Sequence, residues 1–99
     1  MSVNSTAPDV AKLSRVLQRL LPAGYRAVLF GSRATGQARL SSDWDIGILG
    51  PTALRDVKVQ AIRKALEDLP TLHSFDVVDL ATLPARFREA VLRDAIRLA

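Results

Sequence analysis

Residues 29–48 read LFGSRATGQARLSSDWDIGI, and the fold turns on what that stretch does. An apolar run ends at Phe30 and breaks at Gly31-Ser32. A polar, arginine-bearing segment follows, and a second apolar run resumes at Trp44, with Asp43 and Asp45 set one residue apart. A plain connecting loop needs glycine and polar side chains, but no carboxylate inside the returning strand. On a β-strand, residues i and i+2 point to one face, so Asp43 and Asp45 project side by side with Cα atoms about 6–7 Å apart. Two like charges at that spacing repel unless a cation lies between them. Oxygen-only ligands suit a hard divalent ion, Mg²⁺ above all, which takes one or two carboxylates and completes its shell with water and phosphate oxygens. A bare D-x-D pair also fits a solvated strand face, so its meaning depends on what surrounds it.

Gly31-Ser32 sits at the end of the first strand. Glycine there lets a ligand approach the backbone, Ser32 adds a hydroxyl and an N–H, and a helical turn over 32–35 would aim free amides at an anion. Arg33 and Arg39 are candidate phosphate contacts, and either could equally be a solvated loop cation. The third piece is FDVVDL at 75–80. Asp76 and Asp79, three apart on a strand, face opposite sides, so one of them at most shares a face with the first pair. Asp76 stands between Phe75 and Val77, where an unpaired carboxylate costs several kcal/mol (roughly) unless it meets a metal or proton partner. Asp79 precedes a helix, a favourable place for a capping carboxylate. Asp76 is the preferred third carboxylate, with Asp79 as the alternative.

The rest of the chain supplies the frame. Residues 1–7 are small and polar and are expected to be a flexible N-terminus, leaving 8–99 as one domain. From Pro8, Val10, Leu13, Val16, Leu17, Leu20 and Leu21 fall on one helical face, stopped by Pro22-Ala23-Gly24. Strands are expected over 25–30, 44–49 and 74–80. Thr52 is read as the cap of a helix running to about Leu69, with Leu54, Val57, Ala61, Ile62, Ala65, Leu66 and Leu69 inward. A last helix is expected from Pro84 to the end, with Phe87, Val91, Ala95 and Leu98 inward. The predicted class is α/β: a small mixed β-sheet with helices packed mainly on one face.

Composition limits the function. Ninety-nine residues, 48% hydrophobic and 24% charged, describe one small globular domain. No cysteine and a single histidine exclude disulfide staples, thiolate metal sites and histidine-rich centres. No apolar run is long enough to cross a membrane, and MSVNSTAPDVAKLSRV lacks the cationic start and apolar core of a leader, so a cytoplasmic protein is expected. The net charge of +4 is spread along the chain, which allows nucleic acid as a partner without favouring it.

Taken together, a strand-end G-S, ten intervening residues (33–42), D-x-D in a strand and a later strand carrying Asp between apolar neighbours resemble the DNA polymerase beta-like nucleotidyltransferases. GSRATGQARLSSDWDIGI is similar to the motif of the minimal nucleotidyltransferases in that superfamily, close to G-S-R-A-x-G followed by S-D-x-D. The resemblance spans about residues 13–99. It implies the polymerase beta-like palm fold. It also implies that Gly31, Ser32 and Arg33 bind the nucleotide, and that Asp43, Asp45 and Asp76 hold two Mg²⁺ ions, with Asp76 helping to deprotonate an attacking hydroxyl. The implied reaction is transfer of AMP from ATP with release of pyrophosphate. Family members of this size are encoded beside HEPN-domain ribonucleases, as antitoxins that add AMP to a toxin tyrosine. A HEPN partner is therefore implied, and a thin domain with apolar helix faces is expected to form a homo- or hetero-oligomer. An antitoxin that neutralises its partner by covering it, without catalysis, is the alternative.

This sequence departs from the family pattern in two places. Thr35 stands where many relatives carry a basic residue, and Trp44 replaces an aliphatic between the aspartates, facing away from them. Gly47 leaves room on the carboxylate face, for a ligand or for packing. His73, Tyr25 and the arginines at 86, 88, 93 and 97 are assigned packing or solvated roles.

Overall fold

The computed structural model describes residues 10–36, 43–71 and 73–99. The expectations for residues 1–7, for a helix start at Pro8 and for Arg39 lie outside them. Among the described residues, four strands and four α-helices follow in the order α1 (Val10–Leu20), β1 (Arg26–Phe30), α2 (Ser32–Thr35), β2 (Trp44–Leu49), α3 (Asp56–Glu67), β3 (Phe75–Asp79), α4 (Ala85–Arg93) and β4 (Ile96–Arg97). A 3₁₀ turn, Leu80–Thr82, joins β3 to α4.

The sheet runs β3-β2-β1-β4. β1 pairs antiparallel with β2 and with β4, whereas β2 and β3 run parallel, with Asp45 opposite Asp76. Alternation assigns the two faces. Ala27, Leu29, Trp44, Ile46, Ile48 and Val77 turn to one side, where Leu13 and Leu17 of α1 and Val59, Ile62 and Leu66 of α3 complete the core. Phe30, Asp45, Gly47 and Asp76 turn to the other side. There Gly47 is not ligand space: a Cβ added to it would lie 2.9 Å from Leu80 Cδ1, so Leu80 fills that gap and is fully buried.

Two helix expectations are corrected. α3 begins at Asp56 rather than after Thr52, with Arg55 as its cap residue and no side-chain cap. Thr52 is taken by Tyr25, whose hydroxyl donates to the Thr52 carbonyl at 2.8 Å. Because the helix starts later, its buried stripe is Val59, Ile62 and Leu66, while Val57 is 69% exposed. The last helix ends at Arg93 and buries none of its residues, and Phe87 is 61% exposed. Beyond it the chain extends along the free edge of β1. Leu98 N–H donates to the Ala27 carbonyl at 2.8 Å, and Ala27 N–H donates to Ala99 O at 3.0 Å. Edge pairing satisfies the free backbone groups of β1, which a further helical turn would leave open. Leu98 is buried as expected, but from extended chain just past β4.

Candidate active site

Two of the candidate carboxylates face each other at one end of the open face, and a third precedes them in the chain. Asp45 sits in β2 directly opposite Asp76 of β3, so both carboxylates leave the sheet on the same side. Asp43, exposed, immediately precedes β2. Burial, then the Asp76 charge, then the Asp43 charge push the Asp45 carboxyl above its ordinary value of 3.8. Gly31 closes this corner from β1. Its φ is +74°, and a Cβ there would fall 2.3 Å from Asp45 Oδ2, so only glycine lets the backbone lie this close to the carboxylate. α2 follows immediately, with the N–H groups of Ala34 and Thr35 bonded to the Gly31 carbonyl at 3.1 and 3.2 Å.

Asp79 belongs elsewhere. It points to the core side and is 9% exposed. Its carboxylate accepts from Leu54 N–H at 2.7 Å and from Ala81 N–H at 3.1 Å, tying the approach to α3 to the turn after β3. Its lone pairs are spent on structure, whereas Asp76 is exposed on the carboxylate face. The parallel register thus groups Asp76, not Asp79, with Asp45.

Arg33 does not join the carboxylates. Its guanidinium lies 5.1 Å from the centre of the Trp44 ring, and Nη2 is 3.2 Å from His73 Nδ1. Trp44, as expected, faces away from the aspartates and is buried in the core. The meeting of Arg33, Trp44 and His73 was not legible in the sequence, where they lie far apart and on three different segments.

The donor chemistry suits a hard divalent cation, being oxygen-only and self-repelling. Among the described residues no three His, Asp or Glu side chains stand close enough together to enclose a metal ion. Asp45 and Asp76 are paired across the sheet, and the Asp43 charge reaches Asp45, but the three do not form a closed cage. Among the described residues, too, no helix is long and apolar enough to cross a membrane.

A mixed four-stranded sheet with a glycine turn at one strand end and paired strand aspartates beside it defines the polymerase beta-like nucleotidyltransferase palm. The chain matches the family "Polymerase beta, Nucleotidyltransferase" over residues 12–99, and it belongs to that family of nucleotidyl-transferring enzymes. It is 30% identical over 83 residues to "Probable protein adenylyltransferase MntA" of Haemophilus influenzae, covering 84% of this chain and 72% of that protein. A solved structure described as a minimal nucleotidyltransferase is 32% identical, with a TM-score of 0.73, and spans 92% of this chain and 97% of the other. The fold is shared with the chain of a toxin–antitoxin complex with AMP-PNP, at TM-score 0.69 and 24% identity over 92% of this chain and 73% of that one. It is shared as well with the structure of a tri-AMPylated Shewanella oneidensis HEPN toxin in complex with an MNT antitoxin. There the TM-score is 0.61 and the identity 22%, over 91% of this chain and 68% of that one.

Proposed function

We propose that this enzyme transfers AMP from ATP to a hydroxyl, that of a tyrosine on a HEPN toxin encoded with it, and so acts as the antitoxin of the pair. The observation that carries this reading is the register that sets Asp45 opposite Asp76, with Gly31 pressed against Asp45. A sheet built only for packing needs no repelling carboxylates, and no residue whose absent side chain leaves one of them open. The names of the relatives support ATP as donor and a HEPN protein as acceptor.

In this reading Gly31 and Ser32 receive the terminal phosphates of the nucleotide, the backbone approaching them where no side chain intervenes. Asp43, Asp45 and Asp76 would hold two Mg²⁺ ions, which would supply positive charge against the phosphate oxygens. Asp76, exposed at the edge strand, takes the proton of the attacking hydroxyl. The new bond joins that oxygen to the α-phosphorus, and the bond to pyrophosphate breaks.

The test is transfer of label from α-labelled ATP to the purified partner. The double change Asp43→Asn with Asp45→Asn is expected to lower it by about a thousandfold, equivalent to roughly 4 kcal/mol of transition-state stabilisation. Label transfer that survives the double change refutes the site. Loss of transfer with undiminished neutralisation of the toxin in cells supports neutralisation by covering instead.

A further inference from the structure

Behind the carboxylate corner, on the core side of the sheet, the only tryptophan of the chain gathers two polar side chains. Arg33 lies over the Trp44 ring at 5.1 Å, and the His73 ring stands edge-on to Trp44 at 6.2 Å. The guanidinium and imidazole meet at 3.2 Å through Nη2 and Nδ1. Phe75 adds a tilted ring at 6.5 Å. Each of the three sits beside a different piece of the site. Arg33 is two residues after Gly31, Trp44 lies between Asp43 and Asp45, and His73 is three residues before Asp76.

We propose that Arg33, Trp44 and His73 form a clamp on the back of the sheet, one that positions the glycine turn and the three carboxylates without touching substrate. The inference rests on the nucleotidyl-transfer reading above and reassigns Arg33 within it, from phosphate contact to positioning residue.

The need for such a clamp follows from the topology. α2 is four residues long, and its Ala34 and Thr35 amides bond the Gly31 carbonyl. β3 is an edge strand of the sheet, paired with β2 alone. α2 takes no part in the sheet, so strand pairing does not itself tie the glycine turn to the Asp76 strand. Strand alternation makes the back of β2 the place to supply one, because moving the Trp44 side chain tilts the backbone that carries the aspartates on either side. Among the described residues Trp44 Nε1 is buried with no hydrogen-bond partner. The indole is thus held for its ring face, which attracts a guanidinium, rather than for its N–H.

The experiment uses the full chain with its acceptor partner, and circular dichroism to confirm folding. Trp44→Leu, Arg33→Ala and His73→Ala are each expected to lower kcat about ten- to a hundredfold, the scale of a misplaced reacting group. The KM for ATP should stay within about twofold, as expected when ground-state binding is retained. Trp44→Phe keeps a ring face and restores kcat. The Arg33→Ala, Trp44→Leu double variant is no worse than the poorer single one. A raised KM for ATP in Arg33→Ala, with Trp44→Leu and His73→Ala turning over at the wild-type rate, overturns the clamp and returns Arg33 to the phosphates.

A second measurement needs no turnover. A non-hydrolysable ATP analogue, with saturation established by calorimetry, should leave Trp44 fluorescence nearly unchanged because Arg33 stays on the ring. A large change that Arg33→Ala abolishes also overturns the clamp. If calorimetry detects no nucleotide binding, it is the nucleotidyl-transfer reading that fails. The clamp is then decided by thermal unfolding: less-than-additive losses for Arg33→Ala and Trp44→Leu support it, and additive losses overturn it.

Discussion

The two faces of β2 divide the work of the protein. Trp44, Ile46 and Ile48 face the helices and are at most 8% exposed, while Asp45 and Gly47 face the other way beside a second carboxylate strand. One face is stabilised by removing apolar area from water. The other carries a cost, because the carboxylates repel and one of them is held above its ordinary value. Stability and the proposed site are thus set one residue apart, and substitutions on the two faces should have opposite signatures.

The sharpest break in this comparison comes from the core side. Ile48→Ala, at the end of β2 away from the site, removes a fully buried side chain and should cost about 2–5 kcal/mol in urea unfolding, with kcat retained in the folded fraction. Next comes the contrast between two aspartates of one strand. Asp79→Ala leaves the Leu54 and Ala81 amides without their acceptor and should cost about 1–3 kcal/mol. Asp76→Asn should change stability by less than about 0.5 kcal/mol and abolish AMP transfer. Activity lost without destabilisation in Asp79→Ala would exchange the roles of the two.

The smallest effect has the opposite sign. Because Asp45 binds its proton more tightly in the folded chain, its contribution favours folding most below about the ordinary value of 3.8 and is lost as pH rises through the elevated folded value. Asp45→Asn should therefore stabilise the protein at neutral pH. The gain should be less than about 1 kcal/mol, since the group is partly exposed and screened, and it should shrink on acidification through that window. Unfolding curves at several pH values check it, and a loss of stability at neutral pH would contradict repulsion between Asp45 and its neighbouring carboxylates.

Much of this was readable in the residues. Strand 44–49 matched residue for residue, because an apolar run bounded by Asp43 and Gly50-Pro51 has few other solutions. β1 and α1 followed from the same local signals, while Asp43 stands just ahead of β2 rather than within it. The misreadings share a cause. Thr52 looked like a cap until Tyr25 occupied it. Ile96–Arg97 looked helical until the free edge of β1 offered paired hydrogen bonds. Gly47, left open between ligand space and packing, is packing: Leu80 fills the gap.

By itself, the sequence determined β1, β2 and β3, the existence of the helices between and after them, and which residue types stand at the strand ends, since propensity and alternation are local. Tertiary structure decided the rest. The parallel register of β2 and β3 set Asp76 opposite Asp45 and sent Asp79 to the core side. The approach of β1 to β2 set Gly31 against the Asp45 carboxylate. Packing carried Arg33 to the back of the sheet, onto Trp44 and His73. Each of these depends on distances between segments far apart in the chain, which no local rule for a single strand or turn contains.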